Sequence, residues 1–176
     1  ALKTDHALER KLSYSFYKDK NGRILASAEM KYIHTGYFDW RTSRYRTYTR
    51  IFVPLGSELV SVEGAMKWDR NREPGIIDEG EELGKKWFGT FISIEPGQTK
   101  SLKFNYYLPS DILTDDFYSL FVQKQLGTID HKLTLDLNFG TNISTAKPGE
   151  DREEYGDDVY KYNSDLRIDR EFVVNF

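Results

Sequence analysis

From Leu12 onward the chain repeats one motif: apolar and polar residues alternate for a run, a turn signal intervenes, and the alternation resumes. A period of two puts successive side chains on opposite faces of a strand, so such a chain is confined to sheets with one face buried. The stretch ISIEPGQTKSLKFNYYLP, residues 92–109, shows it twice over. Pro96 presets φ for the first corner of a turn and Gly97 permits positive φ at the second. Leu102, Phe104, Tyr106 and Leu108 then share one face while Lys103 and Asn105 take the other. The expectation is a β-hairpin in which Ile92 and Ile94 pair with the strand after Pro96-Gly97, and in which Phe104 is core.

The same logic runs along the chain. Residues 5–11 read as one helical turn. Leu12, Tyr14 and Phe16 alternate with Ser13, Ser15 and Tyr17, and DKNG follows at 19–22. Asn-Gly predicts a two-residue type I′ hairpin turn. Residues 24–33 return with Ala26, Ala28, Met30 and Tyr32 on one face and Glu29 and Lys31 on the other. In YRTYTRIFV (45–53), Tyr45, Thr47, Thr49, Ile51 and Val53 oppose Arg46, Tyr48, Arg50 and Phe52, which reads as a solvated or half-covered face. Further strands are predicted at 59–63, 86–94, 117–125, 132–139, 159–166 and 171–176.

Two long polar stretches interrupt the strands, 64–84 and 140–158. Loops of that length are uncommon without a role. In the first, Ile76-Ile77 is expected to dock as a short edge strand that covers backbone groups. Trp68 is then a second anchor or a contact for a partner, the anchor being favoured. About nine or ten strands at turn spacings of roughly 8–15 residues, with no long helical period, predict a two-sheet antiparallel β-sandwich, immunoglobulin-like, with long loops. Residues 1–176 are read as a single domain, with 140–176 as an added edge or extension.

Composition narrows the function classes. Net charge is only −3 although 30% of residues are charged, which is no footprint for nucleic acid and no polybasic membrane anchor. There is no cysteine, so thiol chemistry and disulfides are excluded. No apolar run reaches the roughly 20 residues of a membrane-spanning helix. The opening ALKTDHALERKL has no signal-peptide core and no initial Met, and is read as the start of a fragment of a longer protein.

Three segments, YRTYTRIFVPLGSEL, GKKWFGTFISIEPGQTKSLKFNYYLP and YSLFVQKQLGT, occur in that order within 45–137. They resemble the C-terminal β-rich region of the bacterial family catalogued as domain of unknown function 4012. The resemblance implies a membrane-anchored parent with this segment outside the cytoplasmic membrane. It carries over no catalytic residue, because that family has no established activity.

The residues themselves carry little chemistry. His6, His34 and His131 lie far apart, and neither an H-E-x-x-H pair nor a G-x-S-x-G elbow occurs. No catalytic residue and no cofactor are expected. Asp69, Asn71 and Glu73 alternate as the ligands that open a calcium loop do. Arg70 and Arg72 between them oppose a cation, and no bidentate Glu follows. Tyr37, Phe38, Trp40 and Trp68 are aromatics outside the strands, and Tyr37, Trp40 and Trp68 are the candidates for ligand contact. Three functions remain open: a structural or protein-interaction module of the cell envelope, a carbohydrate-binding module using those loop aromatics, and a non-catalytic appendage of a parent enzyme. The partner is accordingly a protein or a glycan at the cell surface.

Overall fold

The computed structural model describes residues 4–71, 73–113, 117–151, 153–154 and 156–176. Among the described residues twelve strands carry the fold: β1 Leu8–Lys18, β2 Ile24–His34, β3 Tyr45–Val53, β4 Glu58–Glu63, β5 Asp78–Glu82, β6 Lys85–Ile94, β7 Thr99–Tyr107, β8 Phe117–Val122, β9 Lys132–Asn138, β10 Thr145–Lys147, β11 Val159–Asp165 and β12 Arg170–Asn175. The described helical residues are two single 3-10 turns, Asp5–Ala7 and Ser110–Ile112. The turn predicted over 5–11 thus stops early. Leu8, Arg10 and Leu12 continue the period of two, and the ladder with β2 claims them from Leu8 onward.

The strands make three sheets: β11-β9-β1-β2-β7-β4, β3-β6-β5 and β10-β12-β8. Neighbours are antiparallel except β1 and β9, which pair in parallel. The six-stranded sheet is one layer of a sandwich and the two small sheets together form the other. Ring contacts across the layers show which half each small sheet covers. Tyr32 of β2 meets Tyr45 of β3 at 6.0 Å, and Tyr106 of β7 meets Phe88 of β6 at 5.9 Å. Phe16 of β1 meets Tyr118 of β8 at 5.3 Å, and Tyr162 of β11 meets Phe172 of β12 at 5.5 Å. The fold is all-β, as the alternation predicts, and the second layer is divided in two.

The predicted inward faces are the buried ones. Phe88, Ile92, Ile94, Leu102, Phe104, Tyr106, Leu133, Leu135, Leu137 and Phe139 all join one core cluster. Phe172 and Val174 join it too, and β12 is the central strand of its sheet. The segment 140–176 is therefore woven into both layers, since β11 also extends the large sheet.

Two turns differ from expectation. β6 pairs with β3 and β5, and β7 pairs with β2 and β4, so the strands around Pro96-Gly97 lie in different layers. The turn is an arch between layers and not a hairpin. Alternation is the same in both cases, because each strand turns its apolar face to the common core. Backbone bonds fix the arch: Gly97 N–H donates to His34 O at 2.9 Å, and His34 N–H donates to Gln98 O at 2.9 Å. The β1–β2 turn spans residues 19–23, longer than a type I′ pair. Asp19 Oδ1 accepts from the N–H groups of Asn21 (2.8 Å) and Arg23 (2.9 Å). That side-chain turn competes with the Asn-Gly geometry and wins.

The long stretch after β4 is docked, and Ile76 takes part through its backbone, its carbonyl accepting from Thr90 Oγ1 at 2.7 Å, although Ile76-Ile77 is not itself a strand. Met66 is buried, and its N–H donates to Phe91 O at 2.8 Å. The edge strand is β5, DEGEE, two residues beyond Ile76, which is itself exposed. Four acids in five edge positions are a better guard against edge-to-edge pairing than two isoleucines. Trp68 remains 53% exposed, so the favoured anchor role falls to Met66.

Phe104 is 1% exposed in the centre of the core, and Phe104→Ala is expected to cost about 3–5 kcal/mol in chemical denaturation. Two glycines separate conformational strain from collision. Gly97 has φ +77° and open space around its Cα, so Gly97→Ala should cost about 1–2 kcal/mol. Gly64 has φ +83°, and an added Cβ would lie 2.0 Å from the Ser101 carbonyl oxygen. Gly64→Ala is therefore expected to be clearly the worse of the two, and equal melting curves would contradict this packing.

Candidate functional site

The outer face of the six-stranded sheet is polar along its whole width, and register places its residues in rows across the strands. One row reads Lys161, Asp136, Ser15, Ser27, Asn105 and Ser61. The next reads Asn163, Thr134, Ser13, Glu29, Lys103 and Glu63. In the middle the side chains are small, and the surface sinks into a groove of about 300 Å³ lined by Ser13, Ser15, Tyr17, Leu25, Ser27, Glu29, Lys103 and Asn105. The floor exists because β1 and β2 carry serines where strand propensity favours Thr or Val.

The groove's walls are held and its floor is not. Asn105 Nδ2 donates to Ser61 Oγ at 3.0 Å and to Glu63 Oε1 at 3.3 Å, which turns its amide toward β4. On the far side Thr134 Oγ1 donates to Asn163 Oδ1 at 3.0 Å. At the open end, Arg23 lies over the Tyr107 ring at 3.7 Å, and the Tyr107 hydroxyl donates to Asp19 Oδ2 at 3.3 Å. The hydroxyls of Ser13, Ser15 and Ser27 engage no other group among the described residues, so three donor–acceptor groups face solvent side by side. Tyr17 is 52% exposed and offers a ring beside them.

The residues singled out from sequence lie elsewhere. Tyr37 and Trp40 are exposed on the loop after β2, and Trp68 is exposed on the loop after β4. Among the described residues the three make no ring contact with one another. The two loops are joined by charge instead. Arg44 donates to Glu95 at 2.6 Å and to Asp69 at 3.3 Å, Arg46 donates to Asp69, and Arg70 donates to Glu95 at 2.9 Å. The Arg46 hydrogen bond, with Arg44 nearby, holds the Asp69 carboxyl below the usual range, and Arg44 does the same for Glu95.

Asp69, Asn71 and Glu73 are each engaged by partners within the chain. Asp69 is bound by guanidinium groups, Glu73 pairs with Lys67 at 3.0 Å, and Asn71 Oδ1 accepts from the Glu73 N–H at 2.6 Å. Among the described residues no group of three potential metal ligands converges. Arg72, which figured in the argument against a cation, lies outside the described residues.

The outer face of β3-β6-β5 carries a second surface. An added Cβ at Gly89 would lie 2.7 Å from the Tyr48 hydroxyl, and one at Gly80 would lie 2.8 Å from the Trp87 ring. The two aromatic side chains thus lie across the glycines and cover the backbone there. Tyr48 and Phe52 stay exposed, and the Arg50 guanidinium sits 5.3 Å from both the Phe52 and Trp87 rings.

His131 belongs to neither surface. It is 4% exposed immediately before β9, and its Nε2 is buried without a partner among the described residues. Nearby, the buried Arg10 guanidinium pairs with Asp5 and donates to the Tyr45 hydroxyl at 3.2 Å.

No family model matches the chain, and no curated protein matches it. Among solved structures, the M1 zinc metallopeptidase from Deinococcus radiodurans is similar at 9% identity and a TM-score of 0.37, over 98% of this chain and 43% of that one. A substrate-bound mutant of the metallopeptidase from the same organism is similar at 9% identity and a TM-score of 0.36, over 96% and 42%. The chain thus spans less than half the length of these structures.

The buried imidazole sets a pH dependence. Burial, with Arg10 and Lys124 adding, pushes His131 down to about 4 from an ordinary 6.5. The folded state favours the neutral ring, so its contribution is complete above about pH 6.5 and is lost as pH falls toward 4. Between pH 7.5 and 5 the protein is expected to lose about 1–2 kcal/mol through this group. His131→Leu should flatten that slope in urea titrations, and an unchanged slope would rule the group out.

Proposed function

We propose that this chain is a non-catalytic recognition module of a bacterial cell-envelope protein, and that it binds a glycan along the outer face of its six-stranded sheet. The observation that supports this reading is the groove floored by Ser13, Ser15 and Ser27, whose hydroxyls have no partner among the described residues. A sugar ring is a set of hydroxyls that both donate and accept. Serine hydroxyls, the Asn105 amide and the Glu29 carboxylate match it in kind. Small side chains let the ring approach the sheet, and Tyr17 supplies an apolar face for its C–H groups.

Binding without turnover fits the lining, which holds one carboxylate, Glu29, where glycoside hydrolysis uses two. The envelope location rests on the resemblance of 45–137 to an anchored bacterial family. Among the described residues no helix is long and apolar enough to cross a membrane.

A second reading, protein contact, is favoured by the face that carries Tyr48, Phe52, Trp87 and Arg50, residue types that dominate interface hot spots. Substitution separates the two. Ser27→Trp fills the groove from its centre, and Tyr17→Ala removes its ring. Each is expected to weaken glycan binding on an array by about tenfold, roughly 1.4 kcal/mol. Tyr48→Ala with Phe52→Ala should leave that binding unchanged. If only the latter pair mattered, the groove would not be the site.

A further inference from the structure

A row of lysines borders the groove. Lys11 on β1 is directly opposite Lys31 on β2 and directly in register with Lys132 on β9. Three ammonium groups therefore share one face in one row of three adjacent strands. With strands roughly 4.8 Å apart the row spans about 10 Å. Like charges directly opposite each other destabilise a sheet. Sheets relieve such a row by placing acids in it, and here one acid, Asp165, stands at its β11 end.

The acid within the row is engaged elsewhere. Asp165 lies opposite Lys132 on β11, but it is taken by Arg170 at 2.8 Å and Arg167 at 3.7 Å. The other end of the row is Ser101, opposite Lys31 on β7. Glu9 and Glu29 stand two residues from Lys11 and Lys31 along the strands. Among the described residues none of the three lysines forms an ion pair. The serine floor begins one step away, since Ser13 follows Lys11 by two residues on the same face.

We infer that the ligand of the groove is an anionic glycan, a chain of hydroxylated units carrying carboxylate or phosphodiester groups. This rests on the reading of the groove as a glycan site and adds the charge of its ligand. The serines and Asn105 take hydroxyls, and the lysine row takes the anionic groups. Glu29 lies on the groove side of the row and bars the anion from the floor, so the ligand is held in one orientation. An anionic group bound beside Lys11, Lys31 and Lys132 reduces the repulsion among them.

The experiment measures binding of the whole chain to polygalacturonate, poly(glycerol phosphate), dextran and polyglutamate, each at low and high salt. At least one of the two anionic polyols is expected to bind tenfold or more tighter than dextran, with an affinity that falls as salt rises. Which of them binds tells carboxylate from phosphodiester. The triple variant Lys11→Gln, Lys31→Gln, Lys132→Gln should bring that affinity to the dextran level, and the triple arginine variant should keep most of it. The glutamine variant should melt no lower than the parent, because it removes repulsion and no ion pair. A lower melting temperature would overturn the inference by showing the lysines paired. Dextran binding equal to the anionic polymers, and blocked by Ser27→Trp, would overturn the charge and keep the groove. Lysine-dependent binding that Ser27→Trp leaves intact would overturn the groove as the site. Polyglutamate binding as tightly as the polyols would overturn the glycan, and no binding at all would overturn both readings.

Discussion

Among the described residues no ladder hydrogen bond joins the six-stranded sheet to either small sheet, and the two layers meet through side chains. Everything else depends on that contact. Phe16 meets Tyr118 of the other layer at 5.3 Å, edge to face, and Phe139, which follows β9 of its own layer, at 5.1 Å. Phe139 in turn meets Phe176 at 5.0 Å. Edge-to-face pairs of this kind contribute about 0.5–1.5 kcal/mol each beyond the area they bury. They also resist sliding of one layer over the other, which an aliphatic interface resists less. The arch at Glu95–Gln98 ties the layers covalently, and the Arg44–Glu95–Arg70 contacts brace it from outside.

Which residues go inside was legible, because a period of two is a statement about faces. Which strand lies beside which was not. Ile92, Ile94, Leu102 and Phe104 are buried whether Pro96-Gly97 makes a hairpin or an arch. Only the pairing of Ile94 with Tyr45 and of Leu102 with Met30 decides it, and those partners are distant in the chain. The parallel pairing of β1 with β9 spans more than a hundred residues and leaves no local signal. Turn chemistry was half legible: Asn21-Gly22 marks a turn, but the Asp19 carboxylate selects its type. β5 hid because its five residues are nearly all acidic, and acidic runs read as solvated loop.

The same limit explains the site. Ser13, Ser15, Ser27, Lys103 and Asn105 were each assignable to the solvent face. Their convergence needs the order β1-β2-β7, which puts a strand from the far side of two loops against the first hairpin. The loop aromatics drew attention because exposed Trp and Tyr are conspicuous in a sequence. Trp40 and Trp68 are exposed, but the charge cluster of Arg44, Arg46 and Asp69 joins their loops by salt bridges and not by stacking. The Asp69–Glu73 alternation likewise says nothing of its partners, which are Arg44 and Arg46 for Asp69 and Lys67 for Glu73.

The two faces of the large sheet answer to different demands. Its inner face carries Phe16, Leu102, Phe104, Tyr106, Leu133, Leu135 and Leu137, each 4% exposed or less, and the burial of these residues dominates the stability of the layer. The outer face contributes little to that burial, so its composition is set by strand propensity and by use. Propensity alone would place Thr, Val or Tyr at the centre of β1 and β2. Serine at three neighbouring positions and lysine at three more run against it, the first by giving up cross-strand packing and the second by adding repulsion. Polar and like-charged residues at adjoining positions on one face, opposite a buried apolar face, are the pattern that the proposed ligand-binding reading accounts for.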